Sequence, residues 1–196
     1  YISKNHIVKD SIIISLSLLL LLSGFDISYG QKDTPVEPPH KALEKYMRKT
    51  DASFDWQNYQ QIKLADGTFY EVDLISQTWQ SIPWKHRLIL YFPNKARYSG
   101  TMLVVLRHLY NRSAGMAGLK VISDSTGTPA AMLYDVPNQP LFDGKEEDDL
   151  QAFTFSQYIK TGDESWSLLF PTGKSVVKAI DAAQLLAQKE KEEVVN

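Results

Sequence analysis

Cysteine is absent from all 196 residues. No disulfide can staple the fold and no lipid can be carried on a leader cysteine, so the chain must be held by its apolar core alone. Strong charge of either sign is missing too. A formal net charge of −2 gives no electrostatic case for nucleic acid or an anionic membrane surface as partner. There is no internal repeat, no low-complexity stretch and no Gly-x-Ser-x-Gly. The longest apolar run, Ile12 to Leu22, is broken by Ser15 and Ser17 and falls short of the roughly 20 residues that span a bilayer. His40, His86 and His108 lack metal-ligand spacing. No metal or cofactor is expected.

The 43% hydrophobic and 11% aromatic content is ample for a core. Lys4 and Lys9 precede the apolar run, and Ser28-Tyr29-Gly30 follows it with small residues where a signal peptidase reads. This pattern predicts a secretory leader over residues 1–30, cleaved after Gly30, and hence a secreted or periplasmic protein with no membrane contact after cleavage. The opening Tyr1 suggests an incomplete start. Residues 31–40 carry three prolines and read as an extended linker. The fold is expected over residues 41–196.

A short helix is expected at Lys41–Arg48. Tyr59–Leu64 and Phe69–Trp79, joined by Ala65-Asp66-Gly67, read as a hairpin. Arg87–Phe92 and Thr101–Leu106 are continuous apolar runs, the pattern of strands covered on both faces. A helix near Ala114–Ser125 ends at Gly127, and Ala130–Tyr134 gives another buried strand. The last helix, roughly Thr172–Glu193, places Val176, Ile180, Ala183 and Ala187 on one stripe. Val194-Val195-Asn196 then reads as the opening of a further strand. Hairpin strands first, then buried strands alternating with helices, predict an α/β fold with helices packed on a mostly parallel sheet.

The segment from Val136 to Pro171 is the most distinctive. It reads as VPNQP, an acidic helix start at Glu146–Asp149, a helix stopped by Lys160 and Gly162, and TGDESW. Leu150, Phe153, Phe155, Tyr158 and Ile159 project to several sides, so this helix is expected to be largely covered. The segment resembles the PhoPQ-activated pathogenicity-related protein family, and the likeness extends from about Ala42 to the end. The resemblance implies the N-terminal portion of an α/β-hydrolase-like fold: a mostly parallel sheet with an N-terminal antiparallel hairpin and flanking helices. It further implies ester or amide hydrolysis by a serine nucleophile expected beyond Asn196, with histidine and acid later still. The catalytic residues are therefore unknown here, and the fragment is expected to be inactive. The substrate would be an unidentified small molecule or peptide. The alternative is a non-catalytic exported binding or signalling protein.

Two loops are candidates for contributing to a site. His108, Leu109, Tyr110 and Asn111 follow a buried strand, where this fold supplies an oxyanion hole. Bulky and charged residues stand there in place of glycines, and a helix-capping role is the simpler use. Asn138 and Gln139 leave the carboxyl end of another strand, where α/β sheets bind ligands. Other lookalikes fail on chemistry. Pro171-Thr172-Gly173-Lys174-Ser175 lacks the first glycine of a phosphate loop, Leu168 standing in its place. The acidic run from Asp143 to Asp149 lacks the alternating ligands of a calcium loop. Ser123-Asp124-Ser125-Thr126-Gly127 reads as a helix stop. Asn111-Arg112-Ser113 fits a glycosylation acceptor. Trp56, Trp79, Trp84 and Trp166 are too scattered for a sugar platform and are expected to pack.

Overall fold

A computed structural model describes residues 39–98, 103–106 and 109–190. The expected leader, the linker up to residue 38, His108 and the expected strand at Val194–Asn196 lie outside the described residues. The elements run α1 (Pro39–Arg48), β1 (Asp55–Lys63), β2 (Gly67–Trp79), β3 (Ile82–Pro93), β4 (Leu103–Leu106), α2 (Arg112–Thr126), β5 (Ala130–Leu133), α3 (Glu147–Thr161), a short 3₁₀ turn (Glu164–Trp166) and α4 (Leu169–Glu190).

The five strands form one sheet in the order β1-β2-β3-β5-β4. β1 with β2, β2 with β3, and β3 with β5 are antiparallel, and only β4 with β5 is parallel. The expectation of a mostly parallel sheet is thus wrong; the sheet is essentially antiparallel with flanking helices. The physical reason is twofold. Residues Leu88–Phe92 of β3 are all buried, but because helices cover both faces of the sheet, which is independent of strand direction. The sequence reading also missed that β2 and β3 form a second hairpin. Its two-residue turn, Gln80-Ser81, has both residues at positive φ (48° and 63°) with neither Gly nor Asn to signal it.

One face of the sheet carries α4. Tyr70, Val72, Leu74, Leu88, Leu90 and Leu133 pack there against Ala179, Ala182, Ala183, Leu186 and Ala187, small side chains letting the helix lie close. The buried residues begin at Pro171 and include Lys174 and Ser175; of the expected stripe Ala183 and Ala187 are buried, while Ile180 is 38% exposed. The opposite face carries α2, with Leu119 against Phe69, Ile89, Tyr91 and Met132. Gly115 lets α2 approach: a Cβ there would overlap the Tyr134 hydroxyl. The helix stops at Gly127, whose φ of 72° L side chains rarely adopt. Among the described residues β4, α2 and β5 form the one crossover, which a parallel pair requires.

A third cluster gathers Trp79, Trp84, Leu141 and Leu150, with Phe142 and Trp166 against it. Three of the four tryptophans therefore pack together. Helix α3 rests on this cluster by one side only. Phe155 is 61% and Ile159 67% exposed, contrary to the expected cover, because among the described residues no sheet element covers the helix's outer side.

Candidate functional site

Because β4 and β5 are parallel, their carboxyl ends open at the same end of the sheet, beside the start of β3. There Gln57, Asp73, Leu74, Ile75, Lys85, His86, Arg87 and Asp135 line a cleft of about 370 Å³. Both loops singled out in the sequence leave the sheet at this end.

Beside the cleft, Glu71 is the hub of a charge cluster. Its side chain is only 9% exposed and accepts from Arg112 Nε at 2.6 Å and from the Tyr110 hydroxyl, with Arg87 Nη1 at 3.5 Å. Arg87 also pairs with Asp73 at 2.9 Å and lies 5.3 Å from the Tyr110 ring centroid. Burial pushes the Glu71 carboxyl up, but hydrogen bonds from Arg112 and Tyr110 and the charges of Arg112 and Arg87 outweigh it and hold it below the usual carboxylate range. The same burial and the Glu71 charge raise the Tyr110 phenol to about 12. Two carboxylates face two guanidiniums, so the cluster has no net charge and reads as an anchor for the loop after β4.

Under the cleft runs a buried polar chain. A bulge between Ile75 and Gln77 breaks the alternation of β2, so Ser76 and Gln77 both reach Ser175 of α4. His86 Nδ1 lies 2.9 Å from the Asp135 carbonyl oxygen, and Nε2 lies 2.9 Å from Ser76 Oγ. A carbonyl can only accept, so Nδ1 carries the proton and Nε2 accepts from the Ser76 hydroxyl. Ser175 Oγ lies 2.9 Å from both Ser76 Oγ and the Pro171 carbonyl oxygen, so its one proton is shared between these two acceptors. Gln77 Nε2 donates to Pro171 O at 2.7 Å, and Tyr46 donates to Gln77 Oε1 at 2.7 Å. Burial lowers the His86 pKa to about 4 against the opposing carbonyls of Asp135 and Tyr134, so the imidazole is neutral near pH 7. A Ser–His hydrogen bond suggests an activated nucleophile. Here Ser76 and Ser175 have no exposed surface and His86 is 4% exposed, so no acyl substrate can approach Ser76.

The predicted loop residues are spread over several duties. Leu109 is 73% exposed. Tyr110 is tied to Glu71, and Asn111 caps α2 by accepting from Ala114 N at 3.0 Å. Asn138 accepts from Lys85 N. Gln139 caps α3, accepting from Glu147 N at 3.0 Å and donating to Glu147 Oε1 at 2.7 Å. Sequence reasoning missed Glu71, Arg87, Arg112 and the His86 chain. The available signal was an acid, Glu71, inside a strand flanked by buried Tyr70 and Val72, which calls for a cationic partner.

Residues 43–196 match the sequence model of the family described as PhoPQ-activated pathogenicity-related protein. The chain is also similar to autocrine proliferation repressor protein A of Dictyostelium discoideum, with 29% identity over 158 residues, 72% of this chain and 32% of that protein. It spans about a third of that relative's length. With the match covering most of its residues, this chain belongs to the PhoPQ-activated pathogenicity-related protein family.

Proposed function

We propose that the whole protein containing this region is an exported hydrolase that cleaves an ester or amide through a serine nucleophile supplied outside residues 39–190. The observation that carries the reading is the shared opening of β4 and β5 onto a polar cleft, with one loop anchored by Glu71 and the other pinned to Lys85 and Glu147. Rigid loops at that place suit the positioning of a substrate carbonyl. Within the described residues the chemistry is confined to positioning, because the Ser76–His86 pair is enclosed.

A second reading, an exported binding or signalling protein without catalysis, is favoured by the internal hydrogen bonds that already engage Tyr110, Asn111, Asn138 and Gln139. The name of the Dictyostelium relative points the same way. A serine-directed fluorophosphonate probe separates the two. The full-length gene product is expected to be labelled and the 196-residue chain to remain unlabelled. A folded full-length protein that neither takes the label nor hydrolyses simple esters or amides would establish the binding role. Export is tested by sequencing the mature N-terminus, expected at Gln31.

A further inference from the structure

At the far end of the β2–β3 hairpin a cavity of about 260 Å³ lies among Tyr46, Asp51, Trp79, Gln80, Ser81 and Lys174. Its unusual member is Lys174. The residue is 4% exposed, and among the described residues no carboxylate forms an ion pair with it. The ammonium donates to the Lys49 carbonyl oxygen at 2.7 Å and lies 5.4 Å from the Tyr46 ring centroid. Of its three donors, that accounts for one. A buried ammonium with no carboxylate in direct contact is costly, and a ligand carboxylate would complete it. The nearby acid is already committed: Asp51 accepts from Ser53 N, from Ser53 Oγ and from Thr78 N. Those bonds, together with the charge of Lys174, hold the Asp51 carboxyl low even against burial. Burial conversely holds the Lys174 ammonium below the usual lysine range.

The rest of the cavity is built and fixed. Trp79 Nε1 donates to Ser165 O at 2.6 Å, and Gln80 Nε2 lies 3.3 Å from Ser165 Oγ. The Gln80-Ser81 turn is held at positive φ in both residues, a conformation that persists only where the surroundings enforce it.

We infer that this cavity is a binding site for a small organic carboxylate, held by the Lys174 ammonium between the α1 end and the Gln80-Ser81 turn. At about 260 Å³ the cavity is below the roughly 300–1,000 Å³ of drug-sized ligand sites, which suits a small ligand. Lys49 and Lys178 add positive charge around Lys174 and the Asp51 carboxylate opposes it, a balance suited to a monoanion. A dianionic phosphate would be repelled by Asp51. This inference does not rest on the hydrolase reading.

Acetate and propionate serve as probes, titrated into the full chain at neutral pH while the Trp79 indole and the Gln80 and Ser81 amide signals are followed by NMR. A saturable millimolar response is expected, weaker for inorganic phosphate. Lys174→Met should weaken binding by about thirtyfold or more. Ser81→Asp, at an exposed position whose backbone Asp tolerates, should weaken it by repulsion without unfolding the chain, and it decides the matter if Lys174→Met fails to fold. Signals that do not respond, or a response unchanged in Ser81→Asp, would overturn the site.

Discussion

Glu71 and His86 show how two buried polar residues can impose opposite demands on neighbours. Glu71 must stay charged, since Arg112, Arg87 and Tyr110 are arranged around a carboxylate. Glu71→Gln leaves Arg112 and Arg87 without their shared partner and is expected to lower unfolding stability by about 2 kcal/mol, read from the midpoint of urea denaturation. His86 must stay neutral, since its Nε2 accepts from Ser76. Its folded pKa of about 4 lies below the unfolded value of about 6.5. Between these values the unfolded chain binds more protons, so stability is complete above about pH 6.5 and declines as pH falls toward 4. The slope should approach one proton, about 1.4 kcal/mol per pH unit, with a shallower one in His86→Gln. Glu71 adds its own loss at lower pH, as its depressed carboxyl takes up a proton. Urea midpoints collected from pH 7 to 4 check both signs, and equal slopes in the two chains would refute the account of His86.

At the scale of elements, glycines and turns carry the information that side-chain pattern omits. Gly115 and Gly118 both lie on α2, and only Gly115 faces Tyr134, while the nearest atom to a Cβ at Gly118 is Met132 Cε at 3.9 Å. Gly115→Ala is expected to cost about 1–3 kcal/mol through overpacking, whereas Gly118→Ala should be neutral or gain up to about 1 kcal/mol from helix propensity. Thermal melting of the pair checks it. The Gln80-Ser81 turn offers a third test. Replacing it by the residues such turns favour, Gln80→Asn with Ser81→Gly, should raise stability by about 1 kcal/mol. The bulge at Ser76 is the counterpart of that turn. It puts two successive polar side chains against α4, so Ser76→Ala removes the donor to His86 Nε2 and should cost about 1–2 kcal/mol.

At the scale of the whole molecule, α2 and α4 sandwich the sheet, and the cluster around Trp79 and Trp84 closes one end. Helix α3 stands apart from that sandwich. Phe155→Ser and Ile159→Ser are expected to change stability by less than about 0.5 kcal/mol each, because both side chains already face solvent. Larger losses in chemical denaturation would mean that the outer side of α3 is covered in solution.

The elements themselves were largely legible in residue order. The Asp66-Gly67 turn, the apolar runs of β3 and β5, the stops at Gly127 and Gly162 and the acidic start of α3 all act locally, through backbone preference and helix-end charge. Family membership was legible in the same way, from the run between Val136 and Pro171. What residue order did not contain was direction and partnership. Whether β3 runs along or against β5, which side of α4 turns inward, and that Glu71 would meet Arg112 depend on contacts between distant segments. Those contacts are chosen by total burial and by the pairing of buried charge, quantities that exist only once the chain has closed on itself. The buried ammonium of Lys174 likewise became visible only in the assembled fold.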